Sequence, residues 1–187
     1  MKRREAIEMI LHCMKDEDVA LFTTGMISRE AFDIKDRESH FYVIGSMGLV
    51  SSVGLGIALN TTKRVFIFDG DGSILMDMGT MVMIASARPA NLVHIVLDNE
   101  TYDSTGGQPT LSRDVDLAKI AESSGYAHSV KIGALKELKS ACRNIAGKKG
   151  PHFVLIKVLE KSNTAPERVD VTPFRMKERF EQFLKGA

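Results

Sequence analysis

Two aspartates stand among glycines at the end of an apolar segment, in the sequence FIFDGDGS at residues 66–73. Asp69 and Asp71 would repel each other across so short a turn unless a cation or hydrogen-bond donors compensate their charges. A second apolar segment ends at Asn99, which lies 28 residues after Asp71. Carboxylate and amide oxygens are hard ligands, which Mg²⁺ favours in octahedral geometry shared with phosphate oxygens. The pattern therefore predicts a metal site.

Small and polar residues follow four predicted strands, and three of these turns open directly towards a helix. Unpaired N–H groups at helix starts, with glycines that allow close approach, suit a diphosphate. Two nucleotide motifs are excluded, because neither G-x-G-x-x-G after the first strand nor G-x-x-x-x-G-K-[ST] is present. Ordinary turn chemistry is the alternative, since Asp and Asn favour turns anyway. The four turns are Thr23-Thr24-Gly25, Gly45-Ser46-Met47-Gly48, Gly70-Asp71-Gly72-Ser73 and Asp98-Asn99.

Short apolar runs alternate with helical patterns along the chain, which predicts a three-layer α/β fold with a doubly wound, mainly parallel sheet. Such sheets bind ligands beyond the carboxyl ends of their strands. Ser28 is expected to cap the second helix, and residues 100–112 are expected to form a polar loop. The predicted strands are 19–24, 40–44, 63–70, 91–99, 126–131 and 152–158; the predicted helices are 2–15, a segment starting at Ser28, 47–60, 75–87, 114–124, 133–147 and 173–186.

The chain has 187 residues, 44% of them hydrophobic and 26% charged, which suits a single domain over residues 1–187. A net charge of +1 gives no footprint for nucleic acid. No apolar run approaches the roughly 20 residues of a membrane span, and the first helix is too charged for a signal peptide. Cys13 and Cys142 have no metal-binding spacing, which favours reduced thiols. We expect a cytoplasmic protein with no membrane partner.

The segment from Gly70 through Asp71 to Asn99 resembles the binding motif of thiamine diphosphate (ThDP)-dependent enzymes. The resemblance implies that the side chains of Asp71 and Asn99, with the main-chain carbonyl of Thr101, bind Mg²⁺. Gly70, Gly72 and Ser73 would contact the diphosphate, and Asp69 is expected to orient the turn. Two departures from the family are Asp98, where Asn is common, and Glu100, where many members have Gly.

Two further segments resemble the same family. In Gly45-Ser46-Met47-Gly48, Met47 would support the bent, V-shaped cofactor, and the carbonyl of Gly45 would accept a hydrogen bond from its 4′-amino group. Ser46 is expected to contact the cofactor in the same segment. Gly25 and Ser28 match a further diphosphate-binding turn. The alternative for Met47 is an ordinary core side chain.

The loop NETYDSTGGQPT and the segment TTG…SRE at 23–30 resemble the sulfopyruvate and phosphonopyruvate decarboxylases. This resemblance covers roughly residues 1–160, and the length matches a β subunit whose partner α subunit carries the pyrimidine-binding domain. It implies conversion of sulfopyruvate to sulfoacetaldehyde and CO₂, a step of coenzyme M synthesis. The loop residues that would bind the substrate sulfonate are Ser104, Thr105, Gly106, Gly107 and Gln108.

The glutamate that activates ThDP in this family belongs to the pyrimidine-binding domain, for which the chain has no room. We therefore expect a hetero-oligomer, in which contacts between copies of this chain could also occur, and an inactive chain with weak ThDP binding when it is alone. One alternative keeps the cofactor and takes phosphonopyruvate or another 2-oxo acid. Others are a non-catalytic ThDP-fold subunit and a ferredoxin-linked oxidoreductase subunit. The C-terminal helix would pack on this domain or on a partner.

Overall fold

The computed structural model describes residues 1–159 and 166–186. Its main sheet has six strands in the order β2-β1-β3-β4-β8-β7, and every neighbouring pair is parallel. A separate two-stranded antiparallel hairpin pairs β5 with β6. The strands are β1 (Val19–Phe22), β2 (His40–Tyr42), β3 (Val65–Gly70), β4 (Leu92–Asp98), β5 (Thr101–Tyr102), β6 (Gln108–Pro109), β7 (His128–Ile132) and β8 (His152–Lys157).

Eight helices surround the sheet in the described residues, and they form a layer on each face. Apolar side chains of α1, α2 and α7 pack on one face, and those of α3, α4, α5 and α6 pack on the other. The strands β3 and β4 are buried along their whole lengths, as expected for strands covered on both faces. The helices are α1 (Arg3–Cys13), α2 (Met26–Ile34), α3 (Val50–Leu59), α4 (Asp71–Met76), α5 (Gly79–Ala87), α6 (Leu117–Ser124), α7 (Leu135–Gly147) and α8 (Pro173–Lys185).

The direction of winding reverses between β1 and β3, and this reversal determines where a ligand can reach the sheet. After β1 the chain adds β2 on one side, and it then returns to place β3 on the other side of β1. The connections that leave β1 and β3 therefore diverge and open a crevice at the carboxyl ends of these strands. The predicted α/β fold with a doubly wound parallel sheet is confirmed.

The C-terminal helix α8 lies against the edge strand β2. Thr172 caps its start by accepting a hydrogen bond from the backbone N–H of Arg175. Met176 and Phe180 are buried, one in each of the two apolar clusters, whereas Phe174 is 70% exposed. No helix of the described residues is long and apolar enough to cross a bilayer.

Three local predictions were wrong. The cap of α2 is Gly25 with φ +94°, and Ser28 lies inside the helix, where its hydroxyl donates to the carbonyls of Phe22 and Thr23. The predicted helix 75–87 is two helices, because the first begins at Asp71 and ends at a break around Asp77. The loop 100–112 contains the β5–β6 hairpin and a short 3₁₀ turn over Leu111–Arg113.

Candidate cofactor site

A narrow cavity of about 60 Å³ lies at the carboxyl ends of β1, β3 and β4, and we call it the cradle. Its walls come from the starts of α2 and α4, the β5 segment, the turn before α3 and one side chain of α1. It contains Asp71, Gly70, Gly72 and Ser73 from one side and Asn99 with Thr101 from the other. The parallel pairing of β3 with β4 thus brings together residues that are far apart in sequence.

Asp71 is the carboxylate of the cradle, and its side chain is almost completely buried. One of its oxygens accepts a long hydrogen bond of 3.4 Å from the backbone N–H of Asn99. The other accepts from the hydroxyls of Thr110, at 2.5 Å, and Ser112, at 3.2 Å. Burial raises the pKa of Asp71. The hydrogen bond from Thr110 lowers this pKa, and the negative charge of Asp98 raises it further. A cation would relieve this penalty on the ionised form.

The turn after β4 presents the second ligand candidate. The side-chain oxygen of Asn99 accepts a hydrogen bond from the backbone N–H of Thr101, at 3.3 Å. Glu100, between them, has φ +60°, a left-handed conformation that glycine adopts without strain. Glu100 therefore stands where the backbone favours glycine, the residue that the sequence resemblance implies at this position.

Glu100 remains at this strained position with two basic partners. Its carboxylate contacts the ammonium of Lys157, and Arg113 Nε lies 3.1 Å from its other oxygen. Lys157 also lies 2.8 Å from Asp98 Oδ2, and the Ser112 hydroxyl lies 2.9 Å from Asp98 Oδ1. The hydrogen bond from Lys157 lowers the pKa of Glu100. These contacts tie the last strand β8 to the turn that carries Asn99.

Glycine at residue 72 lets the side chains of Tyr102 and Met47 approach the start of α4 closely. A Cβ at Gly72 would lie 2.4 Å from the Tyr102 ring and 3.3 Å from Met47 Cε. The adjacent Ser73 hydroxyl lies 3.0 Å from the hydroxyl of Thr23, and it accepts a hydrogen bond from the backbone N–H of Gly48. Ser73 therefore joins the turns that follow β1, β2 and β3.

Asp69 does not line the cradle, and its side chain points instead towards His94 on the neighbouring strand β4. One oxygen accepts from the backbone N–H of Gly70, at 2.9 Å, and the other lies 3.3 Å from His94 Nε2. The second ring nitrogen of His94 lies 3.0 Å from the hydroxyl of Tyr126. Asp69 and Asp71 therefore do not face each other, because Asp69 points to His94 and Asp71 lines the cradle.

An ion pair holds two walls of the cradle together. Arg3, which is only 7% exposed, makes two contacts of 3.0 Å with the carboxylate of Glu30 on α2. Its remaining nitrogen donates to Asp103 of the hairpin segment, at 3.1 Å. Arg3 was not among the predicted residues, and no local motif could have indicated it, because its partners lie 27 and 100 positions away.

The other predicted residues divide into those that reach the cradle and those that do not. Met47 and Ser104 line it, whereas Gly45 and Ser46 are exposed beyond its edge. Gly25 and Ser28 line a neighbouring cavity. The rest of the predicted substrate loop forms the hairpin turn, in which Gln108 bonds back to Thr105; these cradle-remote residues are Thr105, Gly106, Gly107 and Gln108. Reasoning from the sequence also missed Thr110 and Ser112, whose hydroxyls contact Asp71.

The donor set of the cradle fits Mg²⁺. It offers one carboxylate, one amide oxygen and the backbone of Thr101, which are hard oxygen ligands. No group of three or more His, Cys, Asp or Glu suited to a metal occurs in residues 1–159 and 166–186. A single carboxylate leaves positions for phosphate oxygens and water, which is how Mg²⁺ is usually held. A larger cavity of about 800 Å³ lies against β7 and α7, and it contains none of the predicted site residues.

Comparison with known proteins identifies relatives of this chain. Residues 23–156 match the family model described as the thiamine pyrophosphate enzyme, C-terminal TPP binding domain. The chain is 33% identical over 185 residues to sulfopyruvate decarboxylase subunit beta of Methanocaldococcus jannaschii, covering 98% of this chain and 97% of that protein. It is 40% identical over 181 residues to a phosphonopyruvate decarboxylase of Streptomyces hygroscopicus, covering 97% of this chain but 45% of that protein. The chain thus spans less than half the length of that relative.

Solved structures support the same fold. Benzoylformate decarboxylase from Polynucleobacter necessarius superposes with a TM-score of 0.74 at 17% sequence identity, covering 90% of this chain and 34% of that one. A thiamin diphosphate-dependent enzyme of Mycobacterium smegmatis, described as putative in its name, superposes with a TM-score of 0.67 at 20% identity. At these identities the likeness concerns the fold alone.

Proposed function

This chain belongs to the thiamine pyrophosphate enzymes, in the family of their C-terminal TPP binding domain, and from that membership we propose that it is the β subunit of a ThDP- and Mg²⁺-dependent decarboxylase. Its substrate would be sulfopyruvate, and its products would be sulfoacetaldehyde and CO₂, in a step of coenzyme M synthesis. The relatives named sulfopyruvate decarboxylase subunit beta support this substrate. The relatives named phosphonopyruvate decarboxylase support phosphonopyruvate as the second candidate.

The observation that carries the proposal is the buried pair Asp71 and Asn99 beside the glycine-lined start of α4. Asp71, Asn99 and the carbonyl of Thr101 would hold Mg²⁺, which in turn would hold the cofactor diphosphate. Gly72 would admit the diphosphate towards the first N–H groups of α4, where a helix start favours negative charge. Gly70 and Ser73 would also contact the diphosphate within the cradle, and Gly25 and Ser28 would contact it only through their backbone, where the cradle borders the neighbouring cavity.

The rest of the cofactor would lie above the cradle. Met47 lines the cradle, and its Cε would lie 3.3 Å from a Cβ placed at Gly72. This position suits the proposed support of the bent cofactor. Gly45 and Ser46 are exposed at the rim, where their backbone would face the pyrimidine ring. ThDP supplies a carbanion sink for the loss of CO₂ from 2-oxo acids. This chain would bind the diphosphate, fix the metal and exclude water from one side of the reacting centre.

A partner α subunit would complete the centre with its pyrimidine-binding domain and activating glutamate. The "subunit beta" names of the relatives support a second chain. The cradle lies at the carboxyl ends of β1, β3 and β4, and the partner would cover it from that end of the sheet. We place the assembled enzyme in the cytoplasm.

The test replaces the metal ligand without changing its shape. In Asp71→Asn the amide can keep the hydrogen bonds to Thr110 and Ser112, but it loses the negative charge that Mg²⁺ needs. The wild-type complex at 100 times the Kd should gain about 2.7 kcal/mol from Mg²⁺ and ThDP. That corresponds to a rise in Tm of about 5–10 °C for a domain of this size. Asp71→Asn should abolish both this rise and CO₂ release from sulfopyruvate.

Asp114→Asn is the matched control, because it makes the same chemical change at an exposed position. It should retain the Tm rise and the decarboxylase activity. If the Asp71→Asn complex still gains stability from Mg²⁺ and ThDP, the assignment of the metal ligand is wrong. If the wild-type complex binds ThDP but releases no CO₂ from sulfopyruvate or phosphonopyruvate, the proposed substrates are wrong.

A further inference from the structure

A second cavity, of about 320 Å³, adjoins the cradle and shares Thr24 and Ser104 with it. It lies between the start of α2, the end of β2 and residues 168–169. Gly25 brings the start of α2 close to the hairpin, because a Cβ at this position would lie 3.8 Å from Ser104 Oγ. A molecule that extends from the cradle past Ser104 would therefore enter this second cavity.

Two arginines line the second cavity, and none of its other lining residues in the described part of the chain is an aspartate or glutamate. Arg29 is half-buried on α2, and Arg168 is exposed. In the described parts of the chain, neither guanidinium makes an ion pair or a hydrogen bond. By contrast, the guanidinium groups of Arg3 and Arg179 are each paired with a carboxylate. Two positive charges that have no carboxylate partner among residues 1–159 and 166–186 favour an anionic ligand at this cavity.

The hydroxyl groups of the cavity show which donors are free to bind. Thr24 donates to the carbonyl of Ile44, and Ser28 donates to carbonyls at the end of β1. The Ser104 hydroxyl has no hydrogen bond in the described residues. Among the described residues, the side-chain donors that remain available are thus the two guanidinium groups and the Ser104 hydroxyl. A guanidinium presents its N–H groups in a planar fork that matches the oxygens of sulfonate, phosphonate and carboxylate groups.

We propose that Arg29 and Arg168 form the subsite for the second acidic group of the substrate, which is the sulfonate of sulfopyruvate or the equivalent phosphonate. This inference rests on the proposed function and names the residues that select a dianionic 2-oxo acid over a monoanionic one. It replaces the hairpin turn as the main sulfonate-binding element and keeps only Ser104 from that segment. The 2-oxo carboxylate end would remain next to the cofactor above the cradle.

The first test is substrate selectivity in the assembled α–β complex at saturating ThDP and Mg²⁺. We expect Arg29→Gln and Arg168→Gln each to lower the ratio of kcat/KM for sulfopyruvate to kcat/KM for pyruvate by tenfold or more. Arg29→Lys, which keeps the charge but loses the fork, should lower the ratio less. Arg143→Gln on α7 is the matched control and should leave the ratio unchanged. An unchanged ratio in both Gln variants would overturn the subsite.

The same variants distinguish the substrate from the cofactor as the source of the anion. If Arg29→Gln and Arg168→Gln raise the Kd for ThDP while the selectivity ratio stays at the wild-type value, the arginines bind the diphosphate and the proposal is wrong. Urea unfolding of each variant shows whether a lowered selectivity ratio comes from a lower free energy of unfolding. A variant with wild-type stability and a lowered ratio supports the subsite.

A binding experiment on the full chain needs no decarboxylase activity. Phenylglyoxal modifies accessible arginines, and mass spectrometry locates each modified side chain. Sulfoacetate should protect Arg29 and Arg168 while acetate protects neither, and Arg143 should react equally with both. Protection without decarboxylation in the complex would leave the subsite standing and refute the proposed function. Decarboxylation without protection or altered selectivity would refute the subsite alone.

Discussion

Gly72→Ala tests the geometry of the cradle, because two opposite effects compete at this position. Alanine in place of glycine inside a helix normally stabilises a protein by about 0.5–1 kcal/mol. At Gly72, however, the new Cβ would lie 2.4 Å from Cε1 and 2.7 Å from Cδ1 of Tyr102. Carbon atoms pack at about 3.5–4.0 Å, so the ring would have to withdraw by about 1 Å. We expect a net loss of about 1–3 kcal/mol from overpacking.

The assay is urea unfolding of the metal-free chain, with Gly56→Ala as the matched control. Gly56 lies in the middle of α3, and a Cβ there would meet nothing within 4 Å. Gly56→Ala should therefore stabilise the chain by about 0.5–1 kcal/mol. The sign of the change, and not only its size, separates the two positions.

A double-mutant cycle identifies the clash. In the Tyr102→Ala background the obstructing ring is absent, so Gly72→Ala should become neutral or stabilising. The coupling free energy between the two substitutions should then be about 2–3 kcal/mol, in the range found for residues in contact. If Gly72→Ala stabilises the wild-type chain as Gly56→Ala does, the contact between Gly72 and Tyr102 is wrong. A coupling near zero would also refute it.

Three other predictions concern His40, the ion pair of Arg3 with Glu30, and the two cysteines. Burial lowers the pKa of His40 to about 4, below its value in the unfolded chain. The free energy of unfolding should therefore be highest above pH 6.5 and fall by about 3 kcal/mol as the pH drops to 4. In urea unfolding, His40→Asn should lack this pH-dependent loss, and equal pH profiles of the variant and the wild type would contradict the assignment. Arg3→Gln leaves Glu30 buried without its partner and should lower the free energy of unfolding by about 3–5 kcal/mol. Hydrogen exchange in residues 101–109 should become faster, and unchanged exchange would show that Arg3 does not hold the hairpin. Burial raises the pKa of Cys142 to about 12, and a hydrogen bond with Cys13 is the second cause. A thiol reagent at pH 8 should therefore modify only the exposed Cys13 in the native chain. In urea it should modify both thiols.

The sequence was sufficient for the parts of the fold that depend on periodicity and on parallel strand pairing. Alternating apolar strands and helices predicted the doubly wound sheet, and parallel pairing then required the ends of β3 and β4 to be neighbours. The proximity of Asp71 to Asn99 follows from that pairing. Cofactor and metal binding by these residues stay predictions.

Features that depend on tertiary contacts were not predictable from the sequence. Ser28 has the chemistry of a helix cap, but its hydroxyl bonds to carbonyls of β1, and a glycine with positive φ starts the helix instead. The break at Asp77 was missed because it is stabilised by Ser52, which lies 25 positions earlier. Arg3 was missed for the same reason, since a buried arginine in the first turn of a helix resembles an ordinary charged surface residue.

The strand order also has a consequence for synthesis of the protein. Among the described strands β7 pairs only with β8, and β8 lies between β4 and β7 although it is the last strand of the chain. The four strands β1 to β4, with Asp71 and Asn99, can pair as soon as the first 99 residues have left the ribosome. Lys157, which contacts Asp98 and Glu100, comes 59 and 57 residues later. A nascent chain would thus bring Asp71 and Asn99 together early and secure the turn beside them only when β8 inserts.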